Sequence, residues 1–341
     1  MKTKLLIAGL TLLAISTLNS RLSNAFAQGS LTPPGPPAPT MKSADQIEPR
    51  TPISSAPYTI TNPGSYYLTT NLFGVSGKNG ISIAANNVTL DLNGFTLQGM
   101  SGSLSGIDIP GAQTNVVVRN GTVNGWGNTG VYCESGSSLN MVFERLNVSA
   151  CIYGMGINGL GAVVRDCNCQ LNSILGISCI NCTVSGCTAN NNACGGIYAD
   201  LCMVTGCSAQ NNGYHGIEIY SGTVSGCFVR NNNFCGICVS GGINNVIDNT
   251  CLQNNTAASS YWAGIVIQSG NNRVENNHVA SNVNAGIQIN YYLDATNIII
   301  KNSVSGNGAN NYVLPGSQIV GPLINTTGTI TNSNPWANFS F

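Results

Sequence analysis

The sequence predicts an all-β chain wound as a parallel solenoid, a stack of about 10–11 coils of roughly 20–28 residues each. Three observations carry this. A Gly-Ile-x-Ile-like phrase recurs as GISI at Gly80, GIDI at Gly106, GVYC at Gly130, GMGI at Gly154, GISC at Gly176, GIYA at Gly196, GIEI at Gly216, GICV at Gly236, GIVI at Gly264 and GIQI at Gly286. Each unit holds a second β-like run, as in NVTLDL (87–92), NVVVRN (115–120) and NIIIKN (297–302), and none carries a helical apolar period. Mid-chain the text nearly repeats: TVSGCTANNNACGGIY from Thr183, MVTGCSAQNNGYHGIE from Met203, TVSGCFVRNNNFCGIC from Thr223.

The elements follow in order. Lys2 and Lys4 precede an apolar run that closes on Ala25-Phe26-Ala27, the pattern of a secretory signal peptide over 1–27. Residues 28–57 read as a proline-rich, disordered linker, in which TPPGPPAPT at 32–40 is stiff, extended and without core-forming residues. Residues 58–312 form the solenoid and 313–341 its C-terminal cap, because an open end is an unpaired sheet edge. A unit of this size without a helix cannot bury a face alone, so stacking must satisfy its backbone. Like residues then lie over one another at ~4.8 Å. Cys167, Cys187, Cys207 and Cys227, spaced twenty apart, become one inward column. The Asn runs at 190–192, 211–212 and 231–233 become a corner, where Asn tolerates the left-handed conformation and bonds its own backbone.

The whole chain carries 12 Lys+Arg and 12 Asp+Glu. Lys2, Lys4 and Arg21 fall in the signal segment, so the mature chain is slightly acidic. No basic patch exists to grip phosphates, which argues against nucleic acid. No further apolar run has membrane length. The expected product is a monomer, secreted, periplasmic or at the cell surface.

These repeats, with the phrases PGSYYLTTNL (63–72), VTLDLNGFTL (88–97) and NPWANFSF (334–341), resemble the right-handed parallel β-helix proteins of the pectin-lyase-like superfamily, in particular secreted bacterial members. The resemblance covers about 58–312 and implies the right-handed sense. It also implies where chemistry should sit, and the family's catalytic phrases are missing. There is no polygalacturonase-like set of NTD, DD and GHG, no YG-x-DPH epimerase phrase, no pectate-lyase-like aspartate cluster for calcium, and no calcium nonapeptide. The central five-residue beat (Ile177, Cys182, Cys187) also fits a pentapeptide solenoid, but coils of 22–28 residues break it. Thr183/Ser185, Met203/Thr205 and Thr223/Ser225 form too short and broken an array for an ice-binding face.

Fourteen cysteines in an exported chain suggest disulfides. Stacked neighbours, however, point their Cβ vectors in parallel, and Cys fills a narrow core as a small apolar residue. Mostly free, buried thiols are therefore expected. Cys179–Cys182 and Cys235–Cys238 are CxxC pairs without a His at ligand spacing, so no metal and no cofactor is expected.

In each Gly-Ile-x-Ile strand the second and fourth residues after Gly face outward. That face collects Tyr132, Glu134, Tyr198, Tyr220, Gln268 and Gln288 as candidate carbohydrate-binding residues, since aromatic bodies stack on sugar rings. Asp200 and Glu218 lie diagonally on adjacent coils, roughly 8 Å apart at Cα. With His215 as an exposed corner residue beside them, they are the candidate acid–base set for a glycosidic bond. A second row on the following strand, Arg119, Glu144 and Arg165 with Arg145 and Asp166, and later Glu275 with Lys301, reads as cross-strand ion pairs. Asp91 reads as a turn contact. The expected function is binding of a polysaccharide or cell-surface glycan without catalysis. Alternatives are a polysaccharide-degrading hydrolase or lyase using the outward carboxylates, and a structural or adhesion module.

Overall fold

Period-2 alternation sets each strand. In Ile197–Asp200, Ile197 and Ala199 are buried while Tyr198 and Asp200 are half-buried. The computed structural model describes residues 48–290, 296–325 and 328–341; the expected signal peptide and most of the linker lie outside the described residues. Arg50–Phe341 form one compact unit of short strands, and the strands pair in parallel.

One coil shows the design. Ile197–Asp200, Cys202–Thr205 and Ser208–Gln210 are three strands of a single turn. Each lies in register on the next turn: Ile197 on Ile217, Val204 on Val224, Ala209 on Val229. The result is a three-sided solenoid of about 12 turns. Two turns go beyond the Gly-Ile count, because the strands Tyr58–Ile60 and Asn310–Val313 stack on the same face without that phrase. Thr51–Ile53 before residue 58, and Ile319–Val320 and Asn338–Ser340 after 312, continue the ladders.

The corners explain the repeated letters. The coil from Gly196 turns on three left-handed residues, Leu201 (φ 52°), Gly206 (φ 59°) and Asn211 (φ 55°). The next residue, here Cys202, Cys207 and Asn212, points inward and is buried. This five-residue rhythm is the beat visible in the sequence. Asn212 donates its Nδ2 to Ala189 O (2.9 Å) and to Asn232 Oδ1 (2.9 Å), and its backbone N–H to the same oxygen (3.0 Å). The ladder Asn side chains thus bond the neighbouring coils, and some, such as Asn272 and Asn302, also bond nearby backbone of their own coil as the sequence suggested; at this corner the left-handed Asn is the residue before. Down one corner the inward residue runs Val88, Val116, Met141, Ala162, Cys182, Cys202, Gly222, Asn244, Asn272, Asn297.

The cysteine column is real. Cys167, Cys187, Cys207 and Cys227 are all buried and stacked coil on coil. All fourteen thiols are free, and thirteen are buried; Cys194 is exposed. The recurring glycine has a steric cause: a Cβ on Gly196 would lie 2.5 Å from Gly216 O and 2.8 Å from Asn212 Nδ2.

Candidate functional site

The outward face of the Gly-Ile strands begins as open surface. Tyr132 stands directly over Asp108, and Tyr198 directly over Glu218. Between them the next coils place only Gly156 and Ser178 at the same position. The Tyr132 ring leans over Gly156, where a Cβ would meet its Cδ2 at 3.2 Å. Tyr198 and Tyr220 rings lie 5.4 Å apart, tilted by 49°. The face is therefore a floor of small residues between two tyrosine walls.

Carboxylates accompany each wall. Glu218 accepts the Ser240 hydroxyl at 2.9 Å. Asp200 lies diagonal to it, two residues beyond Tyr198 on the adjacent coil. The Tyr220 phenol is pushed up first by the Glu218 charge, and the Tyr198 phenol first by burial and then by the charges around it. At the other wall Asp108 accepts Asn79 Nδ2 at 2.9 Å. Its carboxyl is raised by burial and then by the Glu134 charge. Asp108 is outward in the strand pattern, but nothing in the sequence marks its burial.

The face closes further along. Outward Cys238, Val266 and Gln288 are buried, with Trp262 and Val313 packed over this stretch. Gln288, expected as a ligand-binding residue, is 7% exposed and does not lie on open surface; Gln268 is half-buried. The cover arises from the longest coil, Gly236 to Gly264, whose extra residues bring Trp262 over the strands.

His215 departs furthest from expectation. It is 3% exposed, not an exposed corner residue, and sits among Tyr214, Trp262 and Phe234 at ring-centroid distances of 4.0, 5.0 and 6.1 Å. Its Nδ1 accepts the Cys235 N–H at 3.2 Å. That burial overturns the exposed-corner expectation. Instead it meets the second CxxC pair: donor atoms of His215, Cys235 and Cys238 all lie within 4.8 Å of one another. The missing partner was in the text, because 215 and 235 differ by one coil. The Cys238 thiol is lowered by its hydrogen bond to Cys235 and then by His215.

The charged row on the second face forms ion pairs, partly with other partners than expected: Glu144 takes Arg165 and Glu275 takes Lys301 across coils, whereas Arg119 turns to Asp91. Asp91 accepts Arg119 Nε at 3.1 Å and, as the expected turn contact, the Asn93 N–H at 2.8 Å. Glu144 is buried between Arg145 and Arg165, and Glu275 takes Arg273 (2.6 Å) and Lys301 (2.8 Å). This row is consumed by its own pairing. A shallow cleft lined by Leu201, Met203 and Thr223 lies at the corner that follows Asp200 and Tyr220, and none of its lining residues is a tyrosine or an acid.

Residues 199–334 match the family described as Right handed beta helix region. The fold is the right-handed parallel β-helix. Among solved structures, the Azotobacter vinelandii mannuronan C-5 epimerase AlgE6 A-module aligns over 82% of this chain and 90% of its own, at 17% identity and TM-score 0.55. The AlgE4 A-module of the same organism aligns over 75% and 90%, at 16% and 0.52. A double mutant of the periplasmic alginate epimerase AlgG aligns over 83% and 75%, at 12% and 0.50. At these identities the likeness is one of fold. No curated protein matches the sequence. Among the described residues of this β-helix, no helix is long and apolar enough to cross a membrane.

Proposed function

We propose that the protein is exported and binds a carbohydrate chain along the open face, without cleaving it. The observation that carries this is the row Tyr132, Gly156, Ser178, Tyr198 and Tyr220: two aromatic walls flanking small residues on a regular parallel sheet. Amphipathic rings present apolar bodies to sugar faces and hydroxyls to their rims. The named neighbours, which are alginate and mannuronan epimerases, support the sugar class. The chain lacks the YG-x-DPH phrase that goes with epimerase chemistry, which supports binding over turnover.

The charge narrows the ligand. Asp108, Glu134, Asp200 and Glu218 line the face, and its outward strand positions include no Lys or Arg. A uronate polymer would meet like charge without compensation, so the ligand is a neutral or amino-sugar chain. The test is a polysaccharide array scored for retention and for new reducing ends. Retention of neutral chains, weakened about tenfold by Tyr198→Ala, supports the reading, since one aromatic contact is worth ~1.4 kcal/mol or less. Unchanged retention in Tyr198→Ala removes the groove.

Hydrolysis is the second reading, favoured by the carboxylates that stand at both walls, Asp108 with Glu134 and Asp200 with Glu218, since glycosidic cleavage uses a pair of carboxyl groups. Release of reducing ends, abolished by Asp108→Asn or by Asp200→Asn, would establish it and identify which wall acts.

A further inference from the structure

We propose that His215, Cys235 and Cys238 form a binding site for one zinc ion, set beside the glycan face but independent of that reading. The three donors come from two stacked coils. Gly216 N–H bonds Cys235 O, which fixes residue 235 over residue 215, and Cys238 follows on the strand Ile237–Val239. All three are buried, and their donor atoms converge within 4.8 Å of one another, so that small side-chain rotations bring them to the roughly 3.5–3.8 Å at which two donors share one tetrahedral zinc.

The residues are out of character for their columns. In the two coils on either side, the position before Gly is Leu175, Gly195, Ala263 or Ala285, small or apolar; here it is His and then Cys. Cys238 occupies an outward position that the neighbouring coils fill with Glu218 and Val266. A histidine and two thiols meeting by stacking accident would leave a polar ring in an aromatic cage for no gain.

The donor chemistry selects the ion. Two sulfurs and an imidazole nitrogen suit zinc and exclude magnesium and calcium, which take oxygen ligands. Nδ1 carries the lone pair that now accepts the long Cys235 amide bond; the ion takes that lone pair instead. Binding converts two thiols to thiolates and releases two protons to solvent, with no change of oxidation state. Ser240 lies 3.6 Å from Cys238 Sγ and donates to Glu218, giving the sulfur an outer layer tied to the open face. Three protein donors leave a fourth position for water or a ligand oxygen. Trp262 and Phe234, 5.6 Å apart, shield the site from bulk solvent.

The full-length chain is titrated with Co2+ and then Zn2+. One equivalent of cobalt should give a thiolate-to-cobalt charge-transfer band that zinc bleaches. Cys235→Ser and Cys238→Ser should each abolish the band, while Cys194→Ser, at the exposed thiol, should leave it intact. If the serine variants unfold, alkylation of the native wild-type chain decides: zinc should slow modification of Cys235 and Cys238 at least tenfold relative to chelator-treated protein, and leave Cys194 unprotected. A missing band, a band that survives the loss of both cysteines, alkylation rates unmoved by zinc, or a Cys235–Cys238 disulfide forming in air as readily with zinc as without it, would each overturn the proposal.

Discussion

Asn232→Ala tests whether the corner ladders hold the coils together. Asn232 Oδ1 accepts both the backbone N–H (3.0 Å) and Nδ2 (2.9 Å) of Asn212, one coil earlier. Its own Nδ2 donates to Ala209 O (3.0 Å) and to Asn254 Oδ1 (2.9 Å). Alanine removes all four bonds and leaves two donors of Asn212 stranded, in a residue 1% exposed. A buried orphaned donor costs about 1–3 kcal/mol, and a water entering the vacated space recovers part of it. The expected loss is about 3 kcal/mol. Asn232→Cys should lose only about 1 kcal/mol, because sulfur still accepts an N–H weakly. Denaturant midpoints report the total, and hydrogen exchange at the Asn212 amide localises it, which matters because a solenoid need not unfold in two states. A loss below about 1 kcal/mol for alanine, or a cysteine variant as damaged as alanine, refutes the ladder argument.

Two further perturbations follow from single positions. Leu201 holds φ 52° at a corner where other coils use Asn87, Asn115, Asn140, Asn181 and Asn271, and it is 60% exposed. Leu201→Asn should therefore stabilise by about 1 kcal/mol, read as a higher denaturant midpoint; an unchanged midpoint would show that the backbone there is unstrained. Asp108 has a carboxyl raised above its ordinary value, so the folded chain resists its ionisation. Asp108→Asn should stabilise at neutral pH, and the gain should vanish as pH falls below the unfolded carboxyl value of about 3.9. A gain that persists in acid would assign the effect to packing instead.

The fold was legible because its information is periodic. Columns such as Ile197, Ile217, Ile237 recur at one coil length, and parallel stacking turns that length directly into contact. The end turns fell at the expected bounds of 58–312, but the Gly-Ile phrase did not count them: Tyr58–Ile60 and Asn310–Val313 lack it, and their strands are set by the neighbours they pair with. The open face was read correctly as to which side chains point outward. What covers them was not: Trp262 comes from the extra residues of the longest coil, and Val313, in register on Gln288, from an end strand that lacks the Gly-Ile phrase. His215 shows the same limit in reverse. Linear motif spacing treats 215 and 235 as unrelated, whereas the coil length of twenty makes them neighbours.

That coil length also explains why so many cysteines need no bridges. A ladder residue must accept an N–H from the previous coil's ladder residue and donate to a carbonyl within its narrow corner. Asparagine does both with an amide, as Asn277 does toward Asn249 (N–H, 3.0 Å) and Val246 O (2.8 Å). Cysteine does both with a thiol: Cys202 Sγ accepts the Cys182 N–H at 3.3 Å, and its single S–H faces Asp200 O at 3.1 Å and Cys179 O at 3.4 Å. The two residues are functional equivalents of unequal strength, because sulfur is the weaker donor and acceptor. Stability should then be graded along the solenoid. Amides of Cys182 and Cys187 should exchange hydrogen faster than those of Asn249, Asn272 and Asn277, although all five residues are buried. Uniform protection across both sets would mean that strand pairing alone carries the stack and that the corner residues merely fill space.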